Sequence, residues 1–206
     1  MKRQKFLTLW GISLLIGSCS HLTSLTASNS RETKSELPSL ELWSTLHKAR
    51  ENKEHYVILF RHALAPGTGD PDNFQLDDCS TQRNLNEEGR QQAIRMGEEL
   101  KRRKIPVTRI LSSQWCRCLE TAKLMDVGEV EPFAPLNSFF RDRNRSSEQT
   151  NQLRQFLLEN DHDSGVMIMV SHQVNITAIS DIFPKSGEGV VLSIEKEDGE
   201  IEVIGQ

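Results

Sequence analysis

Two stretches of the chain, Tyr56-Val57-Ile58-Leu59-Phe60 and Val166-Met167-Ile168-Met169-Val170, are apolar without interruption, short, and followed at once by polar residues. Runs of that length and composition read as strands covered on both faces, as in a parallel sheet. A third short strand is expected over Thr108 to Leu111, a weaker one over Glu129 to Phe133, and a closing hairpin over Gly189 to Ile194 and Glu200 to Ile204 through Asp198-Gly199. Between them the apolar period changes to that of helices. Leu40, Leu42, Trp43, Leu46 and Ala49 predict a helix from Leu40 to Asn52. Asn86 followed by Glu87 and Glu88 opens another that runs to about Lys104, with Ala93, Met96, Gly97 and Leu100 inward and Pro106 beyond its end. Further helices are expected from about Gln114 to Met125 and over Ser147 to Glu159, the latter carrying Leu153, Phe156 and Leu157. Ala65 to Asn84 shows no apolar period and contains Pro66, Gly67, Gly69 and Pro71, so it is a long loop, and loops of that length in compact domains are usually functional. Repeated strand-then-helix units predict a three-layer α/β/α fold with a mostly parallel central sheet.

The first forty residues do not fit this pattern. Met1-Lys2-Arg3-Gln4-Lys5 followed by an apolar run from Phe6 to Ile16 reads as an export leader, too short for a comfortable permanent span. Ile16-Gly17-Ser18-Cys19 resembles the lipobox of bacterial lipoproteins, which makes Cys19 the expected lipid attachment point; an ordinary cleavable leader is the alternative. Residues 20–39 are polar and Ser/Thr-rich and are expected to be a tether, leaving 40–206 as one domain. The expected location is therefore extracytoplasmic, periplasmic or cell-surface, with a membrane partnership through the lipid.

Without residues 1–19 the chain holds 22 Lys and Arg against 29 Asp and Glu, a net charge of about −7. That balance argues against nucleic acid as a partner and leaves room for a local cationic pocket that takes a small anion. Three cysteines remain. In an oxidising compartment Cys79 is expected to pair with either Cys116 or Cys118, leaving one thiol. The Cys-x-Cys spacing is a poor fit to a metal or redox site.

The strands expected at 56–60, 108–111 and 166–170 each end in polar residues able to handle phosphate: Arg61-His62, Ser112 to Arg117, and Ser171-His172. In a parallel sheet these ends share one edge, where ligands bind. At this point the chain resembles a family. Phe60-Arg61-His62-Ala63 looks like the Arg-His-Gly signature of the histidine phosphatase superfamily, which includes the phosphoglycerate mutases. Asn84 to Ala93 is similar to its Leu-Thr-x-x-Gly-x-x-Gln-Ala segment, Ser112 to Ala122 to its Ser-Ser-Pro-x-x-Arg-Ala-x-x-Thr-Ala segment, and Val170-Ser171-His172 to its Val-Thr-His-Gly. The resemblance implies a phosphoglycerate mutase-like fold, His62 as nucleophile, Arg61, Arg117 and His172 as the groups that hold the phosphoryl, and no cofactor or metal. The chemistry is consistent: charge spread over phosphoryl oxygens needs preorganised cationic donors, and guanidinium supplies them bidentately. A histidine attacks phosphorus only from a neutral nitrogen, so its other ring nitrogen must be tied, and a backbone carbonyl just after Phe60 is the expected tie.

Two departures stand out. Ala63 replaces glycine, which is harmless if φ there is negative, and Gln173 replaces the glycine after the second histidine, removing one of the places where family members put a proton-donating acid. Asp142 is the candidate donor; Asp70, Asp72, Asp77 and Asp78 in the long loop are further options. His21, His47, His55 and His162 are read as solvated. The functional expectation is a metal-independent phosphomonoesterase acting on a small or surface-attached phosphate ester. Alternatives are a non-catalytic phosphate-ester-binding protein, a phosphomutase, and a metallohydrolase using His62 and His172, the last disfavoured because no His-x-x-x-His or adjacent carboxylate completes a ligand set.

Overall fold

The computed structural model describes residues 39–160, 163–195 and 199–206. The expected leader, Cys19, nearly all of the expected tether, His21 and His162 lie outside them. In chain order the elements are α1 (Ser39–Asn52), β1 (His55–Arg61), α2 (Glu87–Arg102), β2 (Val107–Ser112), α3 (Cys116–Met125), β3 (Val130–Pro132), α4 (Ser146–Glu159), β4 (Gly165–Ser171), α5 (Gln173–Ser180), β5 (Gly189–Glu195) and β6 (Glu200–Gly205). The six strands form one sheet in the order β3-β2-β4-β1-β5-β6. β3, β2, β4 and β1 run parallel, and β5 and β6 continue the sheet antiparallel as the closing hairpin.

Alternation along the strands divides the core into two halves. Tyr56, Ile58 and Phe60 of β1 face one side with Ile110, Ile168 and Val170, covered by Leu42, Leu46 and Ala49 of α1, Leu100 of α2 and Met125 of α3. Val57 and Leu59 face the other with Leu111, Met167, Met169 and Leu192, covered by Leu153 and Leu157 of α4 and Ile176 and Ile179 of α5. Helices therefore lie on both faces, the expected three layers.

Three local expectations change. Leu40 is 83% exposed. On a helix it stands about 200° around from Leu42; Leu42, Leu46 and Ala49 make the buried stripe, with Trp43 half-buried beside it. α3 begins at Cys116, two residues past the start expected near Gln114, because Trp115 O is the first carbonyl to accept, from the Cys118 and Leu119 N–H groups, while the orphan N–H groups of Gln114 and Cys116 bond to the side chains of Asn137 and Gln82. α5 was not expected: its run of β-branched residues favours no helix by itself, and its buried Val174, Ile176 and Ile179 are organised by packing on the sheet and α4.

Candidate active site

β1, β4 and β2 lie side by side, so their carboxyl ends meet. The register sets Arg61 opposite Ser171 and Ser112 opposite Val170. Past the strand ends, the His62 N–H donates to Ser171 O at 2.9 Å and the Ser113 N–H to Val170 O at 2.9 Å. Residues separated by more than a hundred positions thus leave the sheet together, and α3 brings Arg117 back over the same edge. The His62 and His172 rings meet edge to face with centroids 5.5 Å apart. Arg117 reaches His172 Nδ1 through Nη2 at 3.3 Å. Arg61, His62, Arg117 and His172 line a single cavity of about 440 Å³, so the expected nucleophile and the three groups expected to hold the phosphoryl are brought together.

The family-like segments hold this loop in place. His62 Nδ1 lies 2.7 Å from the carbonyl oxygen of Ala63. A carbonyl only accepts, so Nδ1 carries the proton and Nε2 keeps its lone pair. The Ala63 N–H donates to Thr121 Oγ1 at 3.0 Å, which itself donates to Arg117 O at 2.7 Å. The Leu64 N–H donates to Gln92 Oε1 at 2.9 Å, and Gln92 Nε2 donates to Ser186 O at 2.7 Å. Gly89 lies so close that a Cβ there would sit 2.0 Å from Leu64 O. Ala63 is not among the described non-glycine residues with positive φ, so the glycine of the signature is not needed here.

The site is buried and strongly cationic. His62, Arg117 and His172 are 2%, 3% and 4% exposed. Burial first, then the charge of Arg117, with further contributions from Arg83 and Arg61, holds the His62 pKa well below the ordinary histidine value, against the opposing pull of the Ala63 carbonyl. Burial and Arg117 likewise hold His172 low. Because Arg117 donates to its Nδ1, His172 is protonated on Nε2, which lies 2.9 Å from Ser113 Oγ. Ser113 Oγ in turn donates to Asn137 Oδ1 at 3.2 Å. Arg61 donates through Nη1 to Pro184 O at 3.0 Å, and the buried Nε atoms of both Arg61 and Arg117 have no hydrogen-bond partner among the described residues.

Other expectations resolve as follows. Cys79 is bonded to Cys116, tying the long loop to the first residue of α3, and Cys118 is a buried free thiol whose pKa burial pushes up to about 12. Asp142 lines the cavity but is exposed, with no side-chain cap bond at the turn it begins. Gln173 Nε2 donates to Thr177 Oγ1 at 2.8 Å, within α5. His55, read as solvated, is 8% exposed and bonds Asp163 O at 2.9 Å, because it is the first residue of a strand covered on both faces. His47 is exposed, as expected. Asp70, read only as one of several loop acids, binds Arg117 with both oxygens, at 2.7 and 3.2 Å. Arg83 was not singled out at all; it lines the cavity and burial brings its pKa down to about 10. No local pattern marks either residue, since each acquires its environment from a segment distant in sequence.

A three-layer α/β domain that gathers two imidazoles and two guanidiniums at the carboxyl ends of parallel strands has the phosphoglycerate mutase-like fold. Within it, the sequence model of the histidine phosphatase superfamily, branch 1, matches residues 57–135. That segment includes Arg61, His62 and Arg117, whereas His172 lies beyond it and joins them through the fold. A search of curated protein sequences returns no significant match. Among solved structures, the fold is shared with a mycobacterial glucosyl-3-phosphoglycerate phosphatase in complex with VO3, at 16% identity and a TM-score of 0.52 over 72% of this chain and 95% of that one. It is also shared with a phosphoserine phosphatase from Entamoeba histolytica in complex with 3-phosphoglyceric acid, at 16% identity and a TM-score of 0.51 over 72% and 94%. An open-reading-frame product of Mycobacterium tuberculosis matches at 17% identity with a TM-score of 0.52 over 72% and 95%. The family match supports a phosphoric monoester hydrolase.

Proposed function

We propose that the protein is a phosphomonoesterase that works through a phosphohistidine on His62 and needs no metal. The observation that carries this reading is the pair of buried guanidinium Nε atoms without a partner among the described residues, on Arg61 and Arg117, two residues that line the cavity shared by His62 and His172. A buried donor without an acceptor costs about 1–3 kcal/mol, a cost tolerated where a ligand brings the acceptor. Phosphoryl oxygens are such acceptors. His62 Nε2 attacks phosphorus in line as the bond to the leaving oxygen breaks, and that oxygen takes a proton from a nearby acid, for which Asp142 is the exposed carboxylate on the cavity wall. Water then attacks phosphorus, the P–N bond breaks with its electron pair returning to His62 Nε2, and the water's proton passes to the carboxylate that protonated the leaving oxygen, as inorganic phosphate forms. Arg61 and Arg117 hold the equatorial oxygens throughout, and His172 can add a donor there only as the Nδ1–H tautomer, when Arg117 Nη2 turns from His172 Nδ1 to the phosphoryl oxygens.

The cavity is much larger than a phosphate. Its wall includes Phe140 and Phe183, which are 42% and 69% exposed, together with Arg145. These side chains suit a leaving group with an apolar or ring face. Two of the structures sharing the fold are named as phosphatases of small phosphate esters. We place the activity outside the cytoplasm, tethered through Cys19, on a small or surface-attached phosphate ester. The leader, the lipobox-like Ile16 to Cys19 and a disulfide within the domain support that location.

The test is hydrolysis of an aryl phosphate by the full chain in excess chelator. Persistence of turnover, loss of at least about 10³-fold in His62→Ala, and an acid-labile phosphoryl label on His62 are expected. Turnover that survives His62→Ala, or that chelator abolishes, would overturn the mechanism. Movement of the protein from membrane to soluble fraction in Cys19→Ser tests the anchor.

A further inference from the structure

The guanidinium of Arg117 has two faces on which an anion can be gripped by paired N–H groups: one formed by Nη1 and Nη2, the other by Nε and Nη2. Asp70 occupies the first, with Oδ1 2.7 Å from Nη1 and Oδ2 3.2 Å from Nη2. The remaining Nη1 hydrogen goes to Arg83 O at 3.3 Å. On the second face Nη2 meets His172 Nδ1 at 3.3 Å, and Nε is buried without a partner among the described residues.

Asp70 is itself held from several directions. Oδ1 also accepts the Arg83 N–H at 3.1 Å, and Oδ2 accepts Trp115 Nε1–H at 3.1 Å. Its carbonyl oxygen accepts from Arg141 Nη2. Its side chain is 9% exposed and that of Arg117 is 3%. The preceding Gly67 and Gly69 have φ of +90° and +72°, conformations that let the loop turn inward and set the carboxylate on Arg117. Burial raises the pKa of Asp70, but the bonds and charge of Arg117 and the donors from Arg83 and Trp115 outweigh it, so the carboxyl stays ionised and is a poor proton donor.

We infer that Asp70 is a positioning residue: it grips the Nη1/Nη2 face of Arg117 so that the Nε/Nη2 face is turned, already oriented, toward the phosphoryl group beside His62 and His172. The inference rests on the proposed phosphate site and deepens it. It assigns the long loop a task in the reaction, since that loop carries Asp70 and is bonded to α3 next to Arg117 through Cys79–Cys116.

The test compares the full chain with its Asp70→Asn, Arg117→Gln and doubly substituted forms. Asn keeps the shape of Asp70 but turns an amide N–H toward a guanidinium that needs an acceptor. With an aryl phosphate, Asp70→Asn is expected to lower kcat by about 10²-fold, as misorientation of a catalytic group typically does, with a smaller change in KM. In the Arg117→Gln background the same change is expected to add almost nothing, because Asp70 acts through Arg117. Titration of inorganic phosphate into His62→Ala, with and without Asp70→Asn, gives a readout independent of turnover, and weaker binding is expected with the substitution. An undiminished kcat, tighter phosphate binding from an unplugged site, or an equal loss in the Arg117→Gln background would each overturn the inference. A wild-type chain that binds phosphate but hydrolyses no ester would instead defeat the hydrolase reading, and the phosphate titration would still decide the role of Asp70.

Discussion

His62 donates its Nδ1–H to the carbonyl oxygen of Ala63, its neighbour in the chain, at 2.7 Å. The bond fixes the tautomer, and burial with the surrounding arginines keeps the ring neutral, so Nε2 is a nucleophile at neutral and mildly acidic pH. Because the pKa is lowered, the ring takes up a second proton only well below the ordinary value of about 6.5. An NMR titration of ring nitrogens should show the Nδ1–H tautomer at pH 6. Arg83→Gln, by removing positive charge, should move the His62 titration upward. A wild-type midpoint near 6.5 would contradict this account of the site.

Asp142 is exposed on the cavity wall and free of the bonds that hold Asp70 ionised. If it protonates the leaving oxygen, Asp142→Asn should reduce hydrolysis of an alkyl phosphate by about 10²- to 10⁴-fold. The loss for an aryl phosphate, whose leaving group needs little help, should be much smaller. An alkyl-to-aryl ratio of kcat/KM that stays constant would remove Asp142 from this role.

The Cys79–Cys116 bond closes a segment 37 residues long and anchors the loop that carries Asp70 and Arg83. Cys79→Ser should cost about 2–4 kcal/mol in chemical denaturation and lower kcat as the loop loosens. Cys118, buried and with its thiol pushed up to about 12, should resist thiol reagents in the native protein and react only on unfolding. Rapid labelling of Cys118 in the folded state would show that the core beside His172 is more open than described.

Gly89 is where α2 approaches the loop after His62. A methyl group there would lie 2.0 Å from Leu64 O, and that oxygen belongs to backbone that cannot swing aside. Gly89→Ala should therefore destabilise the fold by about 1–3 kcal/mol or more and reduce kcat through displacement of Ala63 and Leu64. Denaturation and kinetics at a temperature where the variant remains folded separate the two effects.

Phe140 and Phe183 are exposed on the cavity wall, where solubility gains nothing from them. Alanine at either position should raise KM for a bulky aryl phosphate severalfold and leave KM for glycerol phosphate nearly unchanged. Equal effects on both substrates would show that the rings do not contact the leaving group.

What the sequence by itself determined was the periodic part of the molecule. The uninterrupted apolar runs at 56–60 and 166–170 specify strands because only a position covered on both faces rewards such a run. Their polar ends, Arg61-His62 and Ser171-His172, specify a shared edge because parallel strands align their carboxyl termini. The tie on His62 was also legible, since a nucleophilic imidazole needs one nitrogen bonded and the nearest acceptors are backbone carbonyls. Tertiary structure decided everything that depends on what a side chain meets from elsewhere. It chose Cys116 over Cys118, because only one of two residues two positions apart on a helix faces the long loop while the other enters the core. It formed α5 from β-branched residues by packing them against the sheet. It singled out Asp70 among the loop acids, since whether a carboxylate is solvated or grips a buried guanidinium is set by the three-dimensional approach of 70 to 117, and local sequence carries no record of that distance.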